Sequence, residues 1–222
     1  MAEERQSVML PDGSSVSTVR TTPDTASAGW QFIYAPGAGS NLNDPFGVYA
    51  ARWLAERGVT CVRFQFPYAE KGGHRPDPPK LLRATWNAVI EQYAQPGVRT
   101  IVGGRSMGGR MASEVVAEGT VVDGLALFAY PLYPPGTTDQ WRDKHLPSIT
   151  VPTLFCCGDR DTMSTVDELR SVIVKMPRGR LHVLQGADHG FQVLKSSGRK
   201  REDVWAEAMR VFFDWVGEAD TR

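Results

Sequence analysis

The 222-residue chain has no excess charge of either sign, its 25 lysines and arginines balancing 25 aspartates and glutamates. It also lacks a long basic run, so nothing in it points to a nucleic-acid or anionic-membrane surface, and Lys195–Arg201 reads as a solvated loop. No stretch approaches the roughly 20 apolar residues of a membrane span. The opening Met1-Ala2-Glu3-Glu4-Arg5 lacks the basic-then-apolar order of a secretion signal. These absences predict a cytoplasmic protein with no membrane or nucleic-acid partner. Cysteine is scarce, at three. Cys156 and Cys157 are adjacent, and neighbours on a strand face opposite sides, so they make poor disulfide partners. No Cys/His spacing of a metal site surrounds them, and all three cysteines, Cys61 included, are expected as small buried hydrophobes. With no internal repeat or low-complexity linker, the length fits a single domain over 1–222.

What is present is an alternation of strand and helix patterns. Two polar-alternating segments around Pro11-Asp12-Gly13 predict a hairpin at a sheet edge. Strand Trp30–Ala35, helix Pro45–Arg57, strand Val59–Phe66, helix Leu81–Tyr93, strand Val98–Val102 and helix Met107–Glu118 follow. Gly58 and Pro96-Gly97 act as stops between them. The apolar run Gly124–Tyr130, strand Val151–Cys157, helix Val166–Val174, strand Arg180–Leu184 and helix Glu202–Val216 complete the series. Such alternation predicts an α/β fold, a mainly parallel sheet with helices on both faces. Ala69–Pro79, rich in glycine and proline, is expected as a surface loop. Pro131–Thr150 is irregular, without the amphipathic period of a lid helix.

Within this series, Gly104-Arg105-Ser106-Met107-Gly108 fits G-x-S-x-G between a strand and a helix. In that turn the serine occupies a sparsely populated backbone region, and glycines flank it because strand and helix approach too closely for side chains. The serine hydroxyl lies beside the positive end of a helix, placed to attack a carbonyl. It needs a base, and in a parallel sheet the reacting groups gather beyond the carboxyl ends of strands. His189, in Gly186-Ala187-Asp188-His189-Gly190-Phe191 after a strand, meets that requirement. His182 lies inside a strand, and His145 and His74 lie in connecting segments. Gly158-Asp159-Arg160-Asp161 supplies two candidate acids, of which Asp161, further around the turn, is favoured over Asp159. The order Ser106, Asp161, His189 is the one this kind of elbow requires. Two backbone amides should receive the developing oxyanion: Met107, just after the serine, and Ala38 in the small-residue loop Pro36-Gly37-Ala38-Gly39.

Taken together, the Pro36–Gly39 loop, the Gly104–Gly108 elbow, Gly158–Asp161 and Asp188–Phe191 resemble the α/β-hydrolases over nearly the whole chain. Within that superfamily the sequence is similar to the small group related to dienelactone hydrolase. Through Ala35–Ser40, Arg63–Tyr68 and Tyr130–Gly136 it resembles the hydrolase-like domain of a histone-acetyltransferase complex subunit. The resemblance implies an α/β-hydrolase fold without a large lid, and a serine hydrolase that cleaves a small carboxylic ester or thioester through an acyl-enzyme, with no metal or cofactor. It also leaves open a second reading, a catalytically weak scaffold used as a protein-binding module. Many members carry His-Gly where Pro36-Gly37 stands here. Dienelactone hydrolase itself uses a cysteine where Ser106 stands, so its substrate does not carry over. For the rim of the pocket, Tyr68, His74, Arg105 and Tyr130 are the candidate substrate contacts, with Lys71, Arg75 and Tyr133 nearby in sequence; two readings stand, that some of these bind an anionic or polar acyl group and that they are solvated or salt-bridged side chains.

Overall fold

The computed structural model describes residues 1–219, so the last three residues of the domain expected over 1–222 lie outside the described residues. The strands are β1 (Ala2–Met9), β2 (Ser15–Thr22), β3 (Trp30–Ala35), β4 (Thr60–Phe64), β5 (Arg99–Arg105), β6 (Gly124–Phe128), β7 (Thr153–Gly158) and β8 (Gly179–Leu184). The helices are α1 (Pro45–Ala55), α2 (Pro67–Glu70), α3 (Pro79–Tyr93), α4 (Met107–Ala117), α5 (Val166–Ile173) and α6 (Arg201–Ala219). All eight strands join one sheet in the order β1-β2-β4-β3-β5-β6-β7-β8. The expected hairpin, β1 with β2, is antiparallel and sits at one edge, and every pair from β4 to β8 is parallel.

Side chains alternate across each strand, and here both faces are covered, so β3 reads as an unbroken buried run. Phe32 and Tyr34 point to one side, where α1 and α6 contribute Phe46, Leu54, Trp205 and Phe212. Ile33 and Ala35 point to the other, where α3, α4 and α5 contribute Trp86, Met111 and Leu169. Local chemistry starts the helices. Asp44 caps α1 by accepting from Gly47 N–H at 3.0 Å. Thr165 and Glu168 form a reciprocal capping box at α5.

Most boundaries shift by one to three residues from the sequence expectation, and two differences bear on the site. Residues 67–70, expected to end a strand and open a loop, form the single turn α2, with Pro67 at the first helical position where its missing N–H costs nothing. β5 runs on through Gly103 and Gly104 to Arg105. Those glycines pair within the sheet instead of only turning the chain. A Cβ on Gly104 would stand 2.1 Å from Ala35 O, and one on Gly108 would stand 2.3 Å from the same oxygen. The stretch from Ala129 to Pro152 holds only a one-turn 3-10 helix, Leu146–Ser148, so no helical lid is inserted there.

Candidate active site

Five segments that leave the sheet at its carboxyl edge meet at one place. Ser106 follows β5, with φ 50° and ψ −118°, a strained conformation for a residue with a side chain. It is held there by its N–H, which donates to Phe128 O at 2.9 Å, and by the α4 hydrogen bond from Arg110 N–H to Ser106 O at 2.9 Å. Beside it, Ala129 also has φ 50°. Its N–H donates to Cys156 O at 2.8 Å, tying the end of β6 to β7.

His189 reaches Ser106 from the loop after β8, with Nε2 at 3.0 Å from Ser106 Oγ. Its other nitrogen, Nδ1, lies 2.8 and 3.0 Å from the two carboxylate oxygens of Asp161. A carboxylate only accepts, so Nδ1 carries the proton and Nε2 presents its lone pair to the serine hydroxyl. The Asp161 side chain is fully buried and also accepts from Met163 N–H at 2.8 Å. Asp159 does other work: its Oδ1 accepts from Gly186 N–H at 2.7 Å, joining the acid-bearing turn to the histidine loop. That loop is closed by the Asp188 carboxylate, which accepts from the N–H groups of Gly190 and Gln192 at 2.9 and 2.8 Å. It is pinned by Phe191, which is buried edge-on against Phe46 with ring centroids 5.4 Å apart.

The Gly37–Ser40 loop faces the elbow. A Cβ on Gly37 would lie 3.5 Å from Ser106 Cβ, so this loop backbone passes directly over the serine. Among the described residues, neither Ala38 N–H nor Met107 N–H has a hydrogen-bond acceptor, and both residues line a cavity of about 450 Å³ together with Ser106 and His189. The buried carboxylate of Asp44 joins the surroundings. It accepts from Tyr34 OH at 2.5 Å, from Gly47 N–H at 3.0 Å and from Ser40 Oγ at 3.4 Å, and lies 3.8 Å from the Arg105 guanidinium. Burial, and after it the charge of Asp44, push the Tyr34 phenol well above its ordinary range, so it stays a donor.

Of the four rim residues expected from sequence, only Arg105 lines this cavity. Tyr68 is buried and its hydroxyl donates back to Gly37 O and Ser40 O at 3.4 and 3.3 Å, bracing the loop from behind. Tyr130 is fully buried and its hydroxyl donates to Arg142 O at 2.6 Å. His74 is exposed, with Nδ1 3.4 Å from Gly39 O on the outer side of the loop. Lys71 and Arg75 are exposed and outside the lining, and Tyr133 OH donates to Glu168 at 3.2 Å. Among the lining residues missed from sequence are two arginines, Arg110 and Arg142. Arg110 was open to discovery, since it lies one helical turn after Ser106 and shares its face. Arg142 carried no local signal.

The three cysteines are free and buried, and burial pushes the thiols of Cys61 and Cys157 up to about 12. Among the described residues no cluster of three or more His, Cys, Asp or Glu side chains could hold a metal ion, and no helix is long and apolar enough to cross a membrane.

Residues 28–217 match the sequence model of a family described as an alpha/beta hydrolase domain. Among solved structures, an alpha-beta serine hydrolase homologue from Coxiella burnetii is similar at 21% identity, TM-score 0.74, over 95% of this chain and 97% of that one. A dienelactone hydrolase from Anabaena variabilis is similar at 19% identity, TM-score 0.74, over 96% and 97%. A serine hydrolase without a lid from Xanthomonas campestris is similar at 19% identity, TM-score 0.72, over 97% and 95%. At such identities the structures speak to the fold.

Proposed function

Because the chain belongs to the alpha/beta hydrolase family, we propose that it is a serine hydrolase cleaving small carboxylic esters or thioesters, with Ser106 as nucleophile, His189 as base and Asp161 as the orienting acid. The observation that carries this reading is the unbroken line from Ser106 Oγ to His189 Nε2, at 3.0 Å, and from Nδ1 to the buried Asp161 carboxylate, at 2.8 Å. In the proposed reaction Ser106 Oγ bonds to the acyl carbon while its proton passes to His189 Nε2. The resulting oxyanion is received by the free N–H groups of Met107 and Ala38, which need no reorganisation to reach it. As the tetrahedral species collapses, the bond to the leaving oxygen or sulfur breaks and the leaving group takes the proton from His189. Water then repeats the sequence on the acyl-enzyme, giving the free acid and restoring Ser106. Asp161 stabilises the imidazolium in both halves, and no step calls for a metal or organic cofactor. A cavity without an inserted lid suits small, water-borne substrates. The free cysteines fit a reducing compartment, so we place the reaction in the cytoplasm, within a single domain over 1–222.

A fluorophosphonate probe tests the nucleophile. Labelling at Ser106, lost in Ser106→Ala together with p-nitrophenyl acetate turnover, is the expected result. A wild-type protein that resists the probe while a known serine hydrolase reacts would favour the protein-binding scaffold instead.

A further inference from the structure

The lining of the cavity carries more positive charge than its own residues neutralise. Arg105, Arg110 and Arg142 all line it, and Asp77 is the one lining aspartate. Asp77 is already engaged, accepting from Tyr68 N–H at 2.8 Å, and Arg105 is drawn toward Asp44, at 3.8 Å. Arg110 is fixed in place by an ion pair with Glu114, but that carboxylate is shared, since its second oxygen takes Arg83 at 3.0 Å. Among the described residues no carboxylate lies within ion-pair distance of Arg142, and its guanidinium makes no hydrogen bond. Its backbone, in contrast, is tied down: Arg142 N–H donates to Leu132 O at 2.7 Å, and Arg142 O accepts from Tyr130 at 2.6 Å. Three residues on, His145 Nε2 meets Ser113 Oγ on α4 at 2.7 Å.

A half-buried guanidinium on an anchored backbone, facing a second arginine without a counter-ion, is a poor structural element. Burial and the like charge of Arg110 both disfavour its charged form. An anion between the two would remove that repulsion and satisfy planar donors that match an oxyacid. We propose that Arg142, supported by Arg110, is a specificity-determining residue that binds an anionic group of the substrate, so that the preferred esters or thioesters carry a carboxylate on the acyl or the alcohol side of the scissile bond. The inference rests on the hydrolase reading above and names the substrate class of that same site. Arg110 belongs to it by position: it lies one turn beyond Ser106, and helical side chains lean toward the helix N-terminus, where the serine stands.

The test measures a ratio. Mono-4-nitrophenyl succinate is compared with 4-nitrophenyl butyrate for the acyl side, and 4-carboxyphenyl acetate with 4-methylphenyl acetate for the alcohol side. The wild-type protein is expected to prefer the anionic member of at least one pair in kcat/KM. Arg142→Gln should cut that preference about tenfold to a hundredfold, the usual cost of losing a charged hydrogen-bond partner. Arg142→Lys, which keeps the charge and loses the planar fork, should retain part of it, and circular dichroism checks that each variant folds. Binding of succinate and of inorganic phosphate to Ser106→Ala, followed by calorimetry, gives a readout independent of turnover. Succinate is expected to bind, and to bind more weakly once Arg142→Gln is added. A wild type that hydrolyses both neutral esters without preference, or a preference that survives Arg142→Gln unchanged, overturns the subsite and leaves the Ser106 reading standing. Tighter binding of phosphate than of succinate would overturn the carboxylate assignment. Absence of turnover on all four esters, with no probe labelling, would strike the hydrolase reading itself.

Discussion

On the His189 side of the cavity the polar groups are already engaged. Ser106 Oγ faces Nε2, Nδ1 faces Asp161, Asp161 takes Met163 N–H as well, and Asp188 closes the loop that carries the histidine. Elsewhere in the lining Arg142 has no carboxylate within ion-pair distance among the described residues, and Arg110 shares its only one with Arg83. The first wall is finished without a ligand; the second, on the proposal above, is completed by one. In the proposed reaction the difference follows from what each wall does. Groups that move a proton have to stand in position before the substrate arrives, because every hydrogen bond formed late adds reorganisation to the barrier. Groups that select a substrate work by contrast, and an unpaired charge discriminates strongly between an anionic and a neutral ligand.

The comparison can be broken from the side of the His189 wall. Asp161→Asn should leave the fold intact and lower kcat on a neutral ester on the order of 10⁴-fold, because the amide can hold the imidazole in the wrong tautomer. Asp159→Asn keeps an oxygen for Gly186 N–H and should stay close to wild type. Equal losses in the two variants would mean that Asp161 has no special role. A smaller effect is expected behind the amide loop. Tyr68→Phe removes two long hydrogen bonds, to Gly37 O and Ser40 O, and should cost about 1 kcal/mol or less in denaturant unfolding and a few-fold in kcat. A KM effect with unchanged kcat would show instead that the tyrosine touches substrate.

The smallest of these effects lies beside the arginines, at His145. Burial, then the positive charge of Arg110, hold His145 below its ordinary value, against the opposing pull of Glu114 and Asp143. With the folded value below the unfolded one, the unfolded chain binds more protons as the pH drops past about 6.5, so stability is full above that pH and declines below it. The thermal midpoint of the wild type should therefore fall more steeply between pH 7.5 and 5.5 than that of His145→Gln, which can still donate to Ser113. Parallel curves would remove His145 from the account.

The same contrast explains how far the sequence could be read. The elbow, the acid turn and the histidine loop are each encoded within a few residues. Gly104 and Gly108 are dictated by the approach of Ala35 O, and Asp188 and Phe191 fold the His189 loop locally. The parallel sheet was legible for a similar reason, since runs such as Gly124–Phe128 carry their burial in composition. The arginine wall has no such local code. Tyr68 and Tyr130 follow strands, as rim residues do, yet both turn inward, because a large ring is stabilised by burial once its hydroxyl finds a carbonyl. Arg142 reaches the cavity only because an irregular segment folds back onto Leu132 and Tyr130, a long-range arrangement with no periodicity to betray it. α2 was hidden because one turn is too short for a repeat.

Asp44 gives the amide loop a mechanical character. Its one carboxylate touches the end of β3 through Tyr34, the first turn of α1 through Gly47, the loop itself through Ser40 and the residue before Ser106 through Arg105. A hinge at this loop would have to release contacts in four segments at once, two of them buried. Local opening of the loop is therefore expected to be coupled to the elbow, so that the amides of both should exchange with solvent at similar rates.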